Sequence, residues 1–304
     1  MSITAMSISV WGGSDVTTVD QVVARVRGAA GDGLAAIWFP QGFGLDTLTA
    51  LAVAAVKVPD IRLGTAVVPI QGRHPIPLAQ QALTVADAAG PGRFTLGVGV
   101  THAPVSEGFY GIPYSSVVPL CAEELEALSP LLSEARHADV AGSRLTARAK
   151  LGLTGPPPGL VLAALGPKML DLAGRLTDGT VTWMTGAATL GRDVVPRLRE
   201  AARAAGRPPP RVIVGLPVCV TDDVAGARGR IGEAMAGAAR MASYHRMLAA
   251  EGVAEPVDIA LIGNEDAVGE RIEGLAAAGG TELLANVMGG PEETARTRAF
   301  LAGP

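Results

Sequence analysis

VLAALGPKMLDLAGRLTDGTVTWM, residues 161–184, reads as a short apolar strand, a Gly-Pro turn, an amphipathic helix and a second apolar strand. Within the helix the apolar residues Met169, Leu170, Leu172, Ala173 and Leu176 recur at helical spacing, so one face turns inward. Pro167 suits the first helical turn, where its missing N–H leaves nothing unsatisfied. No Ser, Thr, Asp or Asn stands directly in front to accept the other free N–H groups. The spacing therefore predicts a helix whose start is open.

Strand followed by helix repeats on both sides of this unit. Upstream, SISVW (7–11), LAAIWF (34–39), IRLGTAVVP (61–69) and FTLGVGV (94–100) read as strands; downstream, RVIVGLPVCV (211–220) and ELLANVM (282–288) do the same. With LVLAAL (160–165) and TVTWM (180–184) there are eight. Helical sequence follows each, as in 17–31, LDTLTALAVAAV (45–56), PLAQQALTVADAA (77–89) and AEELEALSPLLSEA (122–135). The strands are continuous apolar runs, as expected when helices cover one face and a packed interior the other. The predicted architecture is a (β/α)8 barrel. No internal repeat or linker divides the 304 residues, so a single barrel domain is expected over 1–304. Insertions are expected near 101–118, 137–159 and 237–263, where connections exceed what a barrel needs.

A hydrophobic content of 48% is enough for a large core and excludes disorder. The net charge of -4 gives no global reason to expect nucleic acid. No uninterrupted apolar run is long enough to cross a bilayer, and MSITAMSISVWGG at the start lacks the pattern of a signal peptide. Cys121 and Cys219 form no Cys-x-x-Cys pair and read as free thiols of a reducing compartment, with one bridge as the alternative. The cytoplasm is the expected setting. His74, His102, His137 and His245 show no metal-ligand spacing with nearby carboxylates, so no metal is expected. Glu123-Glu124, Asp222-Asp223 and Glu292-Glu293 read as helix-start charges favoured by the helix dipole.

Barrel active sites lie at the C-terminal ends of the strands. Trp11, Trp38 and Trp183, the only Trp residues, are all expected at or next to those ends, with His74 after strand three and His102 after strand four. Any one Trp there is as readily a packing residue. All three together point to a flat, partly apolar pocket for an aromatic ligand. The open helix start at Gly166-Pro167 faces the same mouth, with free N–H donors and the positive end of the macrodipole. Gly166 permits close approach of a ligand. Lys168, one of only three Lys, adds charge. Phosphate is the natural guest, and an ordinary tight turn is the alternative.

Two segments carry a family resemblance: RLGTAVVPIQGRHPIPLAQQALTVADAAGPGRFTLGVGVTH (62–102) and AALGPKMLDLAGRLTDGTVTWM (163–184). Together they resemble the bacterial luciferase-like superfamily, and more narrowly its coenzyme F420-dependent oxidoreductases. Arg73-His74-Pro75 and Ala164–Leu170 are the most specific pieces. The Gly97-x-Gly99 pair is weak alone and lacks the third Gly of a dinucleotide fingerprint. The resemblance implies that the bulge Ala66-Val67-Val68 backs the deazaflavin ring, through a non-prolyl cis peptide at Ala66-Val67. It implies Arg73 and His74 near the ring or ribityl chain. It implies that Ala163-Ala164-Leu165-Gly166-Pro167-Lys168-Met169 holds the cofactor phosphate, with Lys168 toward the acidic tail. A homodimer is also implied. Two departures stand out. Val68-Pro69 replaces the Thr or Asn that relatives often carry after the bulge, and His102 aligns with a Glu of deazaflavin sugar-phosphate dehydrogenases, which argues against sugar-phosphate oxidation.

The expected chemistry is hydride transfer to or from a small organic substrate, with the protein supplying or removing a proton. His102 is the expected acid/base, because imidazole titrates near neutral pH and the residue overlooks the mouth. Gln41 is expected to orient a substrate oxygen by hydrogen bonds. Trp11, Phe43 and Trp183 are expected to line the pocket, and Phe109, Tyr110 and Tyr114 form either a lid or inert packing. An FMN-dependent monooxygenase and a non-catalytic flavin-binding protein are the alternatives. A Schiff-base aldolase fits poorly, since Lys168 is the only mouth lysine and sits at a helix start.

Overall fold

The computed structural model describes residues 6–303; residues 1–5, part of the stretch read for a signal peptide, and residue 304 lie outside the described residues. Along the chain run β1 (Ser7–Trp11), α1 (Val19–Gly31), β2 (Ala36–Phe39), α2 (Thr47–Lys57), β3 (Arg62–Thr65), β4 (Val68–Pro69), α3 (Pro75–Ala89) and β5 (Phe94–Gly99). Then come α4 (Ala103–Gly108), α5 (Val117–Leu132), β6 (His137–Ala141), β7 (Thr146–Lys150), β8 (Gly159–Ala163), α6 (Pro167–Leu176) and β9 (Gly179–Trp183). A short α7 (Ala187–Thr189) passes through a π-helical turn (Leu190–Val194) into α8 (Val195–Ala204). The last third holds β10 (Arg211–Val220), α9 (Val224–Ala239), α10 (Ala242–Glu251), α11 (Pro256–Ile259), β11 (Leu261–Gly263), α12 (Glu265–Ala277), β12 (Glu282–Val287) and α13 (Pro291–Ala302).

Parallel pairing runs β1-β2-β3-β5-β8-β9-β10-β12 and returns to β1, which closes an eight-stranded barrel inside its helices. The eight apolar runs of the sequence are the eight staves. One of them is broken: after Thr65 the chain bulges at Ala66-Val67, whose peptide bond is cis, and resumes pairing with β5 as β4. The helix starts follow local chemistry. Thr18 caps α1 in a capping box with Gln21, and Asp46, Asp223 and Asn264 accept the free amides of α2, α9 and α12.

The three long connections each carry structure. Residues 101–118 hold α4, 137–159 hold the antiparallel hairpin β6-β7, and 237–263 hold α10, α11 and β11. Glu123 and Glu124 lie inside α5 rather than at a helix start, which corrects the dipole reading. Glu123 instead accepts from Ser143, Arg144 and Leu145 and clamps the hairpin turn. Glu124 is buried with one carboxyl oxygen unpartnered among the described residues, and burial pushes its pKa up to about 8. Cys121 and Cys219 are both free and buried.

Inside the barrel Ala36, Trp38, Val161, Val181, Ile213 and Leu284 form their own apolar cluster. Trp38 is the correction here: only 1% exposed, it fills the interior instead of lining the mouth. Its indole Nε1 donates to Glu282 Oε1 at 2.8 Å, at the opposite end of the barrel, and Arg211 donates to Glu282 Oε2 at 2.9 Å. The Arg211 guanidinium also sits 5.9 Å from the Trp38 ring centroid. A Cβ on Gly64 would collide with that ring, so the residue beside Trp38 must be small. Glu282→Ala leaves an indole N–H and a guanidinium without their acceptor, and is expected to cost about 3–5 kcal/mol in urea unfolding. A loss within the ordinary surface range, about 0.5 kcal/mol, would show that the plug does not depend on this carboxylate.

Candidate active site

The mouth is built on the interior cluster. Trp11, Ala66, Val67 and Ala163 are partly exposed and rest directly on it, so the barrel is topped by an apolar floor. The bulge holds its height because β5 offers only glycine beneath it. Thr65 Oγ1 donates to Gly97 O and accepts from Gly97 N, both at 2.8 Å. A Cβ on Gly99 would stand 2.9 Å from Val67 Cγ2 and 3.0 Å from the Ala163 Cβ. The Gly97-x-Gly99 pair is thus a cradle for the bulge. Val68 is fully buried in the outer core, so its side chain is absent from the floor.

Trp11 and Trp183 stack across the mouth, centroids 5.9 Å apart and planes 27° from parallel. Trp183 leans on Gly215, where a Cβ would be 2.7 Å from the indole, and the chain turns away beyond it through Met184 at φ 58°. Phe43 departs from the expected pocket. It is 65% exposed and packs with Phe109 at 5.0 Å and Tyr110 at 6.2 Å, an aromatic group on the outer rim.

The start of α6 is open as predicted. Gly166 is its N-cap; among the described residues no side chain bonds there, and a Cβ on Gly166 would meet nothing within 4 Å. Lys168 is exposed beside it, Leu165 and Met169 are half-buried, and Ala164 is in the core. Arg197 of α8 braces this turn, donating to Pro167 O at 2.9 Å and to Asp171.

His102 is the N-cap residue of α4, at the C-terminal end of β5, yet its side chain makes no capping bond. Burial alone holds its pKa below the ordinary imidazole value. Tyr244 of α10 meets the imidazole edge-on, centroids 5.2 Å apart at 76°. Next door, Gln71 accepts from Thr101 N at 3.0 Å while its buried amide nitrogen has no partner among the described residues.

Three other candidates are committed to the scaffold. Gln41 Oε1 accepts from Thr47 N at 2.8 Å and its Nε2 lies 3.2 Å from Gly42 O, so the amide braces its own loop instead of reaching a substrate. Arg73 donates to Asp46 at 2.8 Å and to Gln81 at 3.0 Å. His74 caps α3, its Nδ1 accepting from Ile76 N at 3.2 Å. That fixes the proton on Nε2, which donates to Thr146 O at 3.0 Å and ties the hairpin down. Sequence reasoning missed Tyr244 and Gln71. The only signal for Tyr244 was its place in a long connection, and for Gln71 its place in the short turn between β4 and α3, within the segment that carries the resemblance.

An apolar floor, an aromatic pair, a half-buried imidazole and an open helix start therefore share one mouth. The family model for luciferase-like monooxygenases matches residues 2–282. The chain belongs to that family. Among curated luciferase-like relatives, a Mycobacterium tuberculosis protein provisionally named a coenzyme F420-dependent oxidoreductase is 28% identical over 188 residues, 57% of this chain and 53% of the relative. The chain thus spans about half of that relative's length. Among solved structures, an F420-dependent secondary alcohol dehydrogenase in complex with an F420-acetone adduct has a TM-score of 0.82 at 18% identity, covering 98% of each chain. The oxygenating constituent of 3,6-diketocamphane monooxygenase of Pseudomonas putida, in complex with FMN, has a TM-score of 0.76 at 20% identity, covering 98% of this chain and 97% of the other. At these identities the two structures establish the barrel fold.

Proposed function

We propose that this luciferase-like protein is an oxidoreductase that uses coenzyme F420 to move a hydride to or from a small organic substrate. The observation that carries the reading is the pairing, in one mouth, of an apolar floor with an uncapped helix start. The choice of a deazaflavin is supported by the names of the M. tuberculosis relative and the alcohol dehydrogenase structure. FMN is the runner-up, supported by the diketocamphane monooxygenase.

The residues fit such a group. Ala66, Val67 and Trp11 would hold the ring face, and the free amides at Lys168 and Met169 would hold the phosphoryl group with the help of the helix dipole. A bound deazaflavin supplies a two-electron hydride carrier. The protein orients the substrate against Trp183, excludes water with its apolar walls, and handles the proton at His102. For alcohol oxidation the neutral imidazole takes the hydroxyl proton; for carbonyl reduction the imidazolium returns it.

Titration of the wild type with F420 and with FMN tests the reading, followed by Gly166→Asp. An Asp side chain has room at that cap and supplies the acceptor the helix lacks. The melting temperature is expected to hold or rise slightly, while the affinity for the phosphate-bearing cofactor falls by about tenfold or more. Equal affinity in wild type and variant would move the phosphate away from α6. Tight FMN binding with oxygen consumption would replace the hydride reading with monooxygenation.

A further inference from the structure

The connection 237–263 carries no motif, yet its helix α10 runs along the rim of the mouth, past the neighbouring staves β5, β8 and β9. Near its start Tyr244 meets His102. In its middle Met247 closes a cleft with Leu165 and Pro167 at the start of α6. At its end Glu251 accepts from Ala188 N at 3.1 Å and Thr189 N at 2.8 Å, and Arg192 donates to Ala250 O at 2.9 Å. A Cβ on Gly186 would collide with the Glu251 carboxylate, so the clasp depends on a glycine. One helix is thereby tied to the ends of β5, β8 and β9.

Among the described residues the His102 imidazole makes no hydrogen bond, so nothing polar fixes its rotamer. The Tyr244 ring is what stands against it. We propose that Tyr244 is a positioning residue for His102, and that the Glu251 clasp on α7 seats it there. This rests on the reading of His102 as the acid/base. An edge-on aromatic contact orients the imidazole through the ring quadrupole and covers it from water. The contact is made by the ring, so the hydroxyl is dispensable.

The surroundings agree. Burial is the sole resolved cause of the lowered His102 pKa. On α10, Arg246 acts on Tyr114 and His245 is exposed; on α4, Glu107 accepts from Tyr114 N. Removing the Tyr244 ring therefore admits water to His102 without uncovering a charge identified as acting on it.

The test follows the His102 ring signal by NMR through a pH titration of the cofactor-free protein, with kcat measured alongside. Tyr244→Phe is expected to match the wild type in both. Tyr244→Ala is expected to raise the His102 midpoint toward the ordinary value and lower kcat by about tenfold, with cofactor affinity unchanged. Glu251→Ala, remote from His102, is expected to move both in the same direction and guards against a local folding defect at residue 244. An unmoved His102 midpoint in both Ala variants overturns the proposal. The midpoint is read without cofactor, so its outcome is separate from whether F420 or FMN is bound.

Discussion

Replacing His102 with Asn is expected to lower turnover by about 10²- to 10⁴-fold, the usual worth of a positioned acid/base, and to leave cofactor affinity unchanged. Asn fills similar space and hydrogen-bonds, yet it cannot carry a proton at neutral pH. The pH profile sharpens the test. Burial lowers the imidazole pKa, so the neutral base survives below the ordinary value of about 6.5. The acid limb of the oxidation rate should lie below that value and vanish in the variant. Stability follows the same sign. As pH falls through about 6.5 the unfolded chain takes up a proton that the folded chain refuses until its own lower pKa. Wild type should therefore lose a stability increment on acidification that His102→Asn keeps, read as the difference between melting temperatures at two pH values. A variant that retains both the rate and the acid limb removes His102 from the chemistry.

The fold was legible because parallel strands buried on both faces are predominantly apolar, and β1, β2, β5, β8, β9, β10 and β12 are, with single polar residues such as Ser9, Thr95, Thr180 and Glu282 among them. The open start of α6 was legible because capping is local: four residues around Gly166 decide it. Depth was not legible. Trp38 and Trp11 pair in register on neighbouring strands, yet one side chain drops to Glu282 while the other stays at the mouth. That difference is made by Gly64 on β3 and by a carboxylate 244 residues away. Commitment was not legible either. Arg73, His74 and Gln41 all carry suitable chemistry, and each is taken by a scaffold partner, Asp46, Thr146 and Thr47 in turn. Tyr244 lies outside any barrel strand, on a helix whose polar and apolar residues give no hint that it borders the mouth.

The glycine beneath the bulge makes the most severe prediction for binding. A methyl group at residue 97 would collide with the Thr65 carbonyl oxygen and stand 3.3 Å from Val67 Cγ1. The first obstacle is backbone and cannot rotate aside, so the bulge itself must lift. Thr65 Oγ1 would then lose its paired bonds to Gly97, and the floor under the ring would shift with Val67. Overpacking of this kind costs about 1–3 kcal/mol. A floor displaced by about 1 Å is expected to lower turnover by roughly 10²-fold and to weaken cofactor binding. Gly99→Ala is the control: its obstacles are the side-chain methyls of Val67 and Ala163 at 2.9 and 3.0 Å, which can yield. Fluorescence titration should rank the proteins wild type, Gly99→Ala, then Gly97→Ala, with melting temperatures falling in the same order. Should Gly97→Ala bind as tightly as the wild type while melting lower, the bulge would be a structural seam and the cofactor would have to rest elsewhere in the mouth.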